Sequence, residues 1–165
     1  MRLRRPESAA ASGPGAEQAA RLAALRLLNR RDYGARELAA RLSERGFETA
    51  AVEAAVASLL REKLLDDARF AEHFVAYHAN RGQGPVRIAH RLREAGVDAE
   101  LIAATVDTNA ADWRRRCAEV RRKRFGAREP GSWAERGRQA RFLTQRGFNA
   151  GQVRAAIGKD LDQDG

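Results

Sequence analysis

From residue 18 onward, apolar side chains return every three or four positions, with charged residues between them. Leu22, Leu25 and Leu28 form one such stripe. Phe70, Phe74 and Tyr77 stand at i, i+4 and i+7, and Trp113, Cys117 and Val120 repeat that spacing. A period near 3.6 predicts helices that turn one face to a core and the other to water.

The stripes belong to a longer repeat. Gly46, Gly96 and Gly147 share their surroundings: Leu42, Leu92 and Leu143 lie four residues earlier, and Ala39, Ala89 and Ala140 seven earlier. Phe47, Val97 and Phe148 follow at once; Val52, Ile102 and Val153 follow at six, and Val56, Val106 and Ile157 at ten. Spacings of 50 and 51 residues suit a helical repeat. Each glycine is expected to end a helix in the left-handed region, with the next apolar residue folding back over that end. Asp98, Asn149 and, in the first copy, Thr49 sit where the following helix wants a capping acceptor.

Counting the stripe helix before each pair, the pattern predicts an all-α protein: three tandem three-helix units, nine helices, stacked as an elongated array. The expected boundaries are a flexible arm over 1–17, units over 18–67, 68–110 and 111–159, and an acidic tail over 160–165. In the third unit a longer segment with Pro130, Gly131 and Trp133 separates the first two helices. Asp66 and Asp67 most simply cap the helix carrying Phe70. Gly82-Gln83-Gly84-Pro85 reads as a turn with proline at a first helical position; it follows no strand and lacks the lysine of a phosphate-binding loop.

Composition narrows the function. The 165 residues are 44% hydrophobic, 32% charged and only 6% aromatic, a helix-favouring mixture. No stretch approaches the ~18 apolar residues of a membrane span. The basic start, Met1 to Pro6, is followed by Ser8 to Gly15 rather than by an apolar signal core, so a cytoplasmic location is expected. The net charge of +9 is concentrated at one end: residues 113–165 hold 14 Lys/Arg against 6 Asp/Glu. Such a surface attracts polyanions and acidic proteins.

The stretch Leu65-Asp66-Asp67-Ala68-Arg69-Phe70-Ala71, continuing through Phe74 and Arg81-Gly82-Gln83-Gly84-Pro85-Val86-Arg87-Ile88 to Leu92 and Gly96-Val97, resembles the RecX family. So do Phe142-Leu143-Thr144-Gln145-Arg146-Gly147-Phe148 near the end and Tyr33-Gly34, Leu38 and Leu42 near the start. Arg81 stands where lysine is common in that family, and Gln83 where an aromatic often appears. The resemblance implies tandem three-helix units and a cytoplasmic, cofactor-free regulator. Its partner would be the RecA recombinase and its filament on single-stranded DNA, typically with inhibition of filament growth, ATP hydrolysis and strand exchange in homologous recombination, DNA repair and the SOS response. The expected state is a monomer, with direct DNA contact as a companion possibility.

Candidate contacts follow the cations. Arg81, Arg87 and Arg91 form either a basic stripe or a solvated helix face. The triplet Arg114, Arg115 and Arg116 and the run Arg121, Arg122, Lys123 and Arg124 crowd one helix with Glu119 as the only acid among them, which favours a partner contact. Arg138, Arg141 and Arg146 extend the positive surface, as do Arg136 and Arg154. His73 and His78 are off-register for one helix face and His90 is isolated, so no metal site is expected. Cys117, on the stripe of Trp113 and Val120, reads as a core residue rather than a nucleophile. No nucleophile elbow or carboxylate set suggests an enzyme. Phosphate contacts alone would suffice for a nucleic-acid-binding alternative.

Overall fold

In a computed structural model, residues 14–158 are described. Among them every regular element is a helix: α1 Pro14–Leu28, α2 Ala35–Glu44, α3 Thr49–Arg61, α4 Asp67–Asn80, α5 Pro85–Glu94, α6 Ala99–Thr105, α7 Ala111–Phe125, α8 Trp133–Arg146 and α9 Ala150–Ile157. The all-α, three-by-three expectation is therefore met. The acidic tail and residues 1–13 of the expected arm lie outside the described residues. Residues 14–17, expected in the arm, already belong to α1, whose first position takes Pro14.

The chain divides into two compact units, the first comprising the described residues up to Ala71 together with Glu94–Asp98. In it α1 and α2 both pack on α3. The inward edge of α1 is Ala16, Ala20, Ala23, Ala24 and Leu27; of the expected stripe, Leu25 and Leu28 are partly buried against this core, whereas Leu22 is 48% exposed. The reason is the partner surface: α3 presents Ala51 and Ala55 to Ala16 and Ala20, and small residues on both sides let the helices approach closely. Leu38, Leu42, Val52, Leu59 and Leu65 fill the rest of the core.

The Asp pair is divided between two helix ends. Asp66 accepts from Arg69 N at 3.1 Å and caps α4, whereas Asp67 accepts from Ala35 N at 2.7 Å and caps α2. Gly34 holds the N-cap of α2 beside the Phe70 ring, which a Cβ at this position would meet at 3.4 Å. The long-range Asp67 bond thus ties the first turn of α4 to the start of α2. Thr49 is not the cap of α3: it is the first helical residue, and Glu48 occupies the N-cap without a side-chain bond.

The second unit holds Glu72–Arg93 and the described residues from Ala99. Here α7 packs on α8 and α9, and α8 on α9. Trp113, Cys117 and Arg121, one turn apart along α7, face inward. Asn149 and Gln152 form a reciprocal capping box at α9, and each side chain also donates to Thr108 O.

The repeat positions fall where the pattern placed them. Gly46, Gly96 and Gly147 have φ of 89°, 80° and 98°. Leu42, Leu92 and Leu143 are fully buried, as are Val97, Phe148, Val52, Ile102 and Val153 within a few per cent. The third glycine does more than end a helix. A Cβ on Gly147 would lie 2.3 Å from Arg87 Cβ, and one on Gly84 would lie 2.3–2.4 Å from backbone atoms of Gly147 and Phe148. At this crossing Gly84 N donates to Arg146 O at 2.8 Å and Val86 N to Gly147 O at 3.0 Å. The start of α5 is thereby bonded directly to the end of α8. Inside the first unit Gly96 is crowded by a side chain instead: a Cβ on it would lie 2.7 Å from Arg36 Cβ.

Candidate functional site

The second unit contains a groove of about 540 Å³ between the end of α4, α7 and the last turns of α8. Asn80, Arg81 and Gly82 form one wall, Arg116, Glu119, Val120, Lys123 and Arg124 the second, and Phe142 and Arg146 the third. Five cations and one acid therefore face a single cleft. The helical period explains the convergence on α7: Arg116, Val120, Lys123 and Arg124 lie at i, i+4, i+7 and i+8, on one flank of the buried Trp113-Cys117-Arg121 line.

Aromatic rings orient the guanidinium groups. Arg124 lies over Phe125 and Phe142, with centroid distances of 5.7 and 5.9 Å. Arg146 lies 5.8 Å from the Phe142 centroid and donates from Nη2 to Arg81 O at 2.9 Å. Phe125 and Phe142 pack edge to face, and Arg138 flanks Phe125. Arg81 donates to the Tyr77 hydroxyl at 2.8 Å. Stacking fixes the plane of a guanidinium while leaving its outer N–H groups for a bidentate acceptor.

Other cations named from the sequence have different placements. Arg121 is not a surface contact: it is 6% exposed, its Nε donates to Gln139 Oε1 at 2.9 Å, and its Nη2 donates to Arg128 O. It lies on the inward stripe of α7 and holds the α7–α8 segment. Arg115 is paired with Asp112 and Glu119, and Arg116 Nε with Asp112 at 2.6 Å. The triplet thus has local acids on both sides, because Asp112 lies one turn back from Arg115 and Arg116. Hydrogen bonds from Arg116 and Arg115 hold the Asp112 carboxyl below its ordinary range.

Arg87 Nη1 donates to Gln145 O at 3.1 Å, reinforcing the Gly84–Gly147 crossing. Arg91 is half-buried; its Nη1 faces His78 Nδ1 at 3.1 Å and Gln83 Oε1 at 3.3 Å. A guanidinium can only donate, so that histidine nitrogen accepts and the ring is held neutral. Burial, followed by Arg91, Arg81 and Arg87, pushes His78 below its ordinary value. Arg114, Arg122 and Arg141 are exposed outside the groove wall.

Of the twelve cations proposed from sequence, the groove brings together Arg81, Lys123, Arg124 and Arg146. It also takes in Arg116 of the arginine triplet, and adds Asn80 and Phe142, which the sequence did not mark as contacts. The signal for Phe142 was present in its spacing, four residues from both Arg138 and Arg146 on α8.

Cys117 is fully buried and burial pushes its thiol up to about 12, which removes thiolate chemistry near neutral pH. Among the described residues, no group of three or more His, Cys, Asp or Glu could hold a metal ion, and no helix is long and apolar enough to cross a membrane.

Family models for the first, second and third three-helix domains of RecX match residues 20–59, 66–106 and 114–157. The chain belongs to the RecX family. The regulatory protein RecX of Halorhodospira halophila is 48% identical over 141 residues, 86% of this chain and 88% of that one. The regulatory protein RecX of Stenotrophomonas maltophilia strain R551-3 is 41% identical over 139 residues, 84% and 85% of the two chains. The fold is similar to the crystal structure of RecX from Lactobacillus salivarius, with a TM-score of 0.73 at 16% identity over 84% of this chain and 92% of that one. The relatives from Halorhodospira halophila and Stenotrophomonas maltophilia are named as regulatory proteins.

Proposed function

We propose that this RecX-family chain is a non-enzymatic, cytoplasmic regulator that binds the RecA recombinase and its filament on single-stranded DNA, restraining filament growth, ATP hydrolysis and strand exchange. The observation that carries the reading is the groove of Arg81, Arg116, Lys123, Arg124 and Arg146 on a chain of RecX type. Its cations are positioned to meet carboxylates or phosphates of a nucleoprotein filament. Arg87 and Arg91 support the wall of that groove from α5, whereas Arg114, Arg122, Arg138 and Arg141 widen the positive field around it.

A second reading is supported by the stacked guanidinium groups over Phe142 and Phe125, an arrangement suited to phosphates of naked single-stranded DNA. Titrating the protein into DNA-dependent ATP hydrolysis by the cognate RecA separates the two. Inhibition at well under one protein per RecA protomer is the expected result. Inhibition only at levels that coat the DNA, with affinity for naked DNA falling steeply with salt, would replace the regulator with the DNA-binding reading. The variant Lys123→Glu/Arg124→Glu should lose inhibition while keeping its helicity; unchanged inhibition would remove the groove from the mechanism.

A further inference from the structure

A second surface of the same unit lies on the α8–α9 pair and takes no part in the groove. Trp133, the first residue of α8, is 78% exposed, the most exposed of the large hydrophobic side chains described. Beside it Gly137, Ala140, Val153 and Ile157 line a largely apolar pocket of about 170 Å³, whose lining also includes Arg136 and Arg154. A dry cavity of roughly 150 Å³ is large enough for a benzene ring, so the pocket has room for one large side chain.

Gly137 is the informative residue. It lies inside α8, where glycine costs helix stability relative to alanine. Its φ is not in the left-handed region, and a Cβ built on it meets nothing within 4 Å. Neither backbone geometry nor packing within the chain requires a glycine there. What its missing side chain does provide is open space in the pocket lining and close approach for whatever enters. An exposed tryptophan one turn away, at i−4, supplies a flat anchor of the kind that dominates binding energy at interfaces. The exposed Arg154 gives the lining a positive charge that selects against a basic visitor.

We propose that this pocket is a docking site for an acidic segment of a partner polypeptide, which inserts one phenylalanine- or leucine-sized side chain against Trp133 and over Gly137 while a flanking carboxylate meets Arg154. The proposal does not rest on the reading of the groove.

The test is a nitrogen-15 NMR titration of the full chain with the peptide acetyl-Glu-Asp-Phe-Asp-Glu-amide, and with acetyl-Lys-Lys-Phe-Lys-Lys-amide as the opposite-charge probe. The acidic peptide should give saturable shifts centred on the Trp133 indole and the amides of Gly137, Ala140 and Val153, with a Kd of about 1 mM or tighter. Trp133→Ala should weaken binding at least about tenfold. Gly137→Ala should weaken binding while raising Tm by about 1–4 °C, an opposition that a purely structural role for Gly137 does not produce. Shifts that map to Lys123 and Arg124 instead, equal binding of the lysine peptide, or unchanged affinity in Gly137→Ala would each overturn the proposal. Concentration-dependent shifts at Trp133 without peptide would assign the pocket to a second copy of the chain. Much tighter peptide binding by a variant ending at Gly158 would assign it to the chain's own Asp160-Leu161-Asp162. Either result also overturns the assignment to a partner.

Discussion

Replacing Arg121 by alanine should damage the fold, whereas replacing its neighbour Arg122 should not, although the sequence presents them as equal members of one basic cluster. The Arg121 guanidinium donates to Gln139 Oε1 at 2.9 Å and to Arg128 O, joining α7 to α8 and to the segment between them. Gln139 is itself only 4% exposed, so its carbonyl has no ready access to water once the donor is gone. Hydrogen bonds from a charged donor contribute ~1.5–3 kcal/mol each, and an orphaned buried acceptor costs ~1–3 kcal/mol. Two such bonds, the second only partly buried, place the loss for Arg121→Ala at ~3–5 kcal/mol. At ~2–4 °C per kcal/mol for a chain of this size, Tm should fall by ~6–20 °C. Arg122 is exposed, and Arg122→Ala should stay within ~0.5 kcal/mol of the parent. Urea unfolding followed by far-UV circular dichroism compares the two variants directly, and the buried Trp113 provides a fluorescence signal from the same helix. Equal midpoints for Arg121→Ala and Arg122→Ala would refute the internal role of Arg121. A practical consequence concerns charge reversal on α7: a variant that includes Arg121 loses binding through unfolding, so a test of the surface should change Arg122, Lys123 and Arg124 alone.

Other expectations follow from the same geometry. Gly84→Ala should cost at least ~1–3 kcal/mol, because its Cβ would meet backbone rather than a movable side chain; a thermal midpoint equal to the parent's would contradict the Gly84–Gly147 crossing. Leu92→Ala should cost ~2–5 kcal/mol, and Phe74→Ala less than the ~3–5 kcal/mol of a fully buried phenylalanine, since Phe74 is only half-buried; an unchanged chemical-denaturation midpoint for Leu92→Ala would show the core wrongly located. For His78 the folded value lies below the ordinary 6.5, so the unfolded chain takes up the proton first as pH falls. The stability from this group is complete above 6.5 and is lost as pH drops from there toward the folded value, and His78→Gln should flatten that part of the denaturation-midpoint profile; identical profiles would refute the assignment. Cys117 should resist iodoacetamide at about pH 8 in the native protein and react on unfolding in urea, as mass spectrometry would show; prompt native labelling would mean that the α7 core opens.

The repeat itself was legible without coordinates. Leu42, Leu92 and Leu143, the glycines that follow them, and the apolar positions of the next helices recur because each copy must solve the same local problem. A helix must end, the chain must reverse through a left-handed residue, and the next apolar face must return to the core. Local rules and periodicity are enough for that, and Gly46, Gly96 and Gly147 adopt the positive φ they require. Membership of the RecX family was likewise readable from the run Leu65 to Ile88 and from Phe142 to Phe148.

Tertiary structure decided which members of a charged run turn inward. Arginine is polar in every sequence pattern, but Arg121 shares the face of Trp113 and Cys117, and Gln139 waits opposite to satisfy it. Periodicity placed Arg121 four residues after Cys117, yet charge made the surface seem its natural place. Only the partner helix supplies the acceptor that permits burial. The same holds for α1, where docking on an alanine-lined α3 selected Ala16, Ala20 and Leu27 over Leu22. It holds again for Asp67, whose acceptor serves a helix end 32 residues earlier in the chain. The groove is the clearest case, since Arg81, Lys123 and Arg146 are separated in sequence and converge only when α4, α7 and α8 pack. A sequence states which groups are available and with what period. Which of them meet depends on distances between elements that no local rule contains.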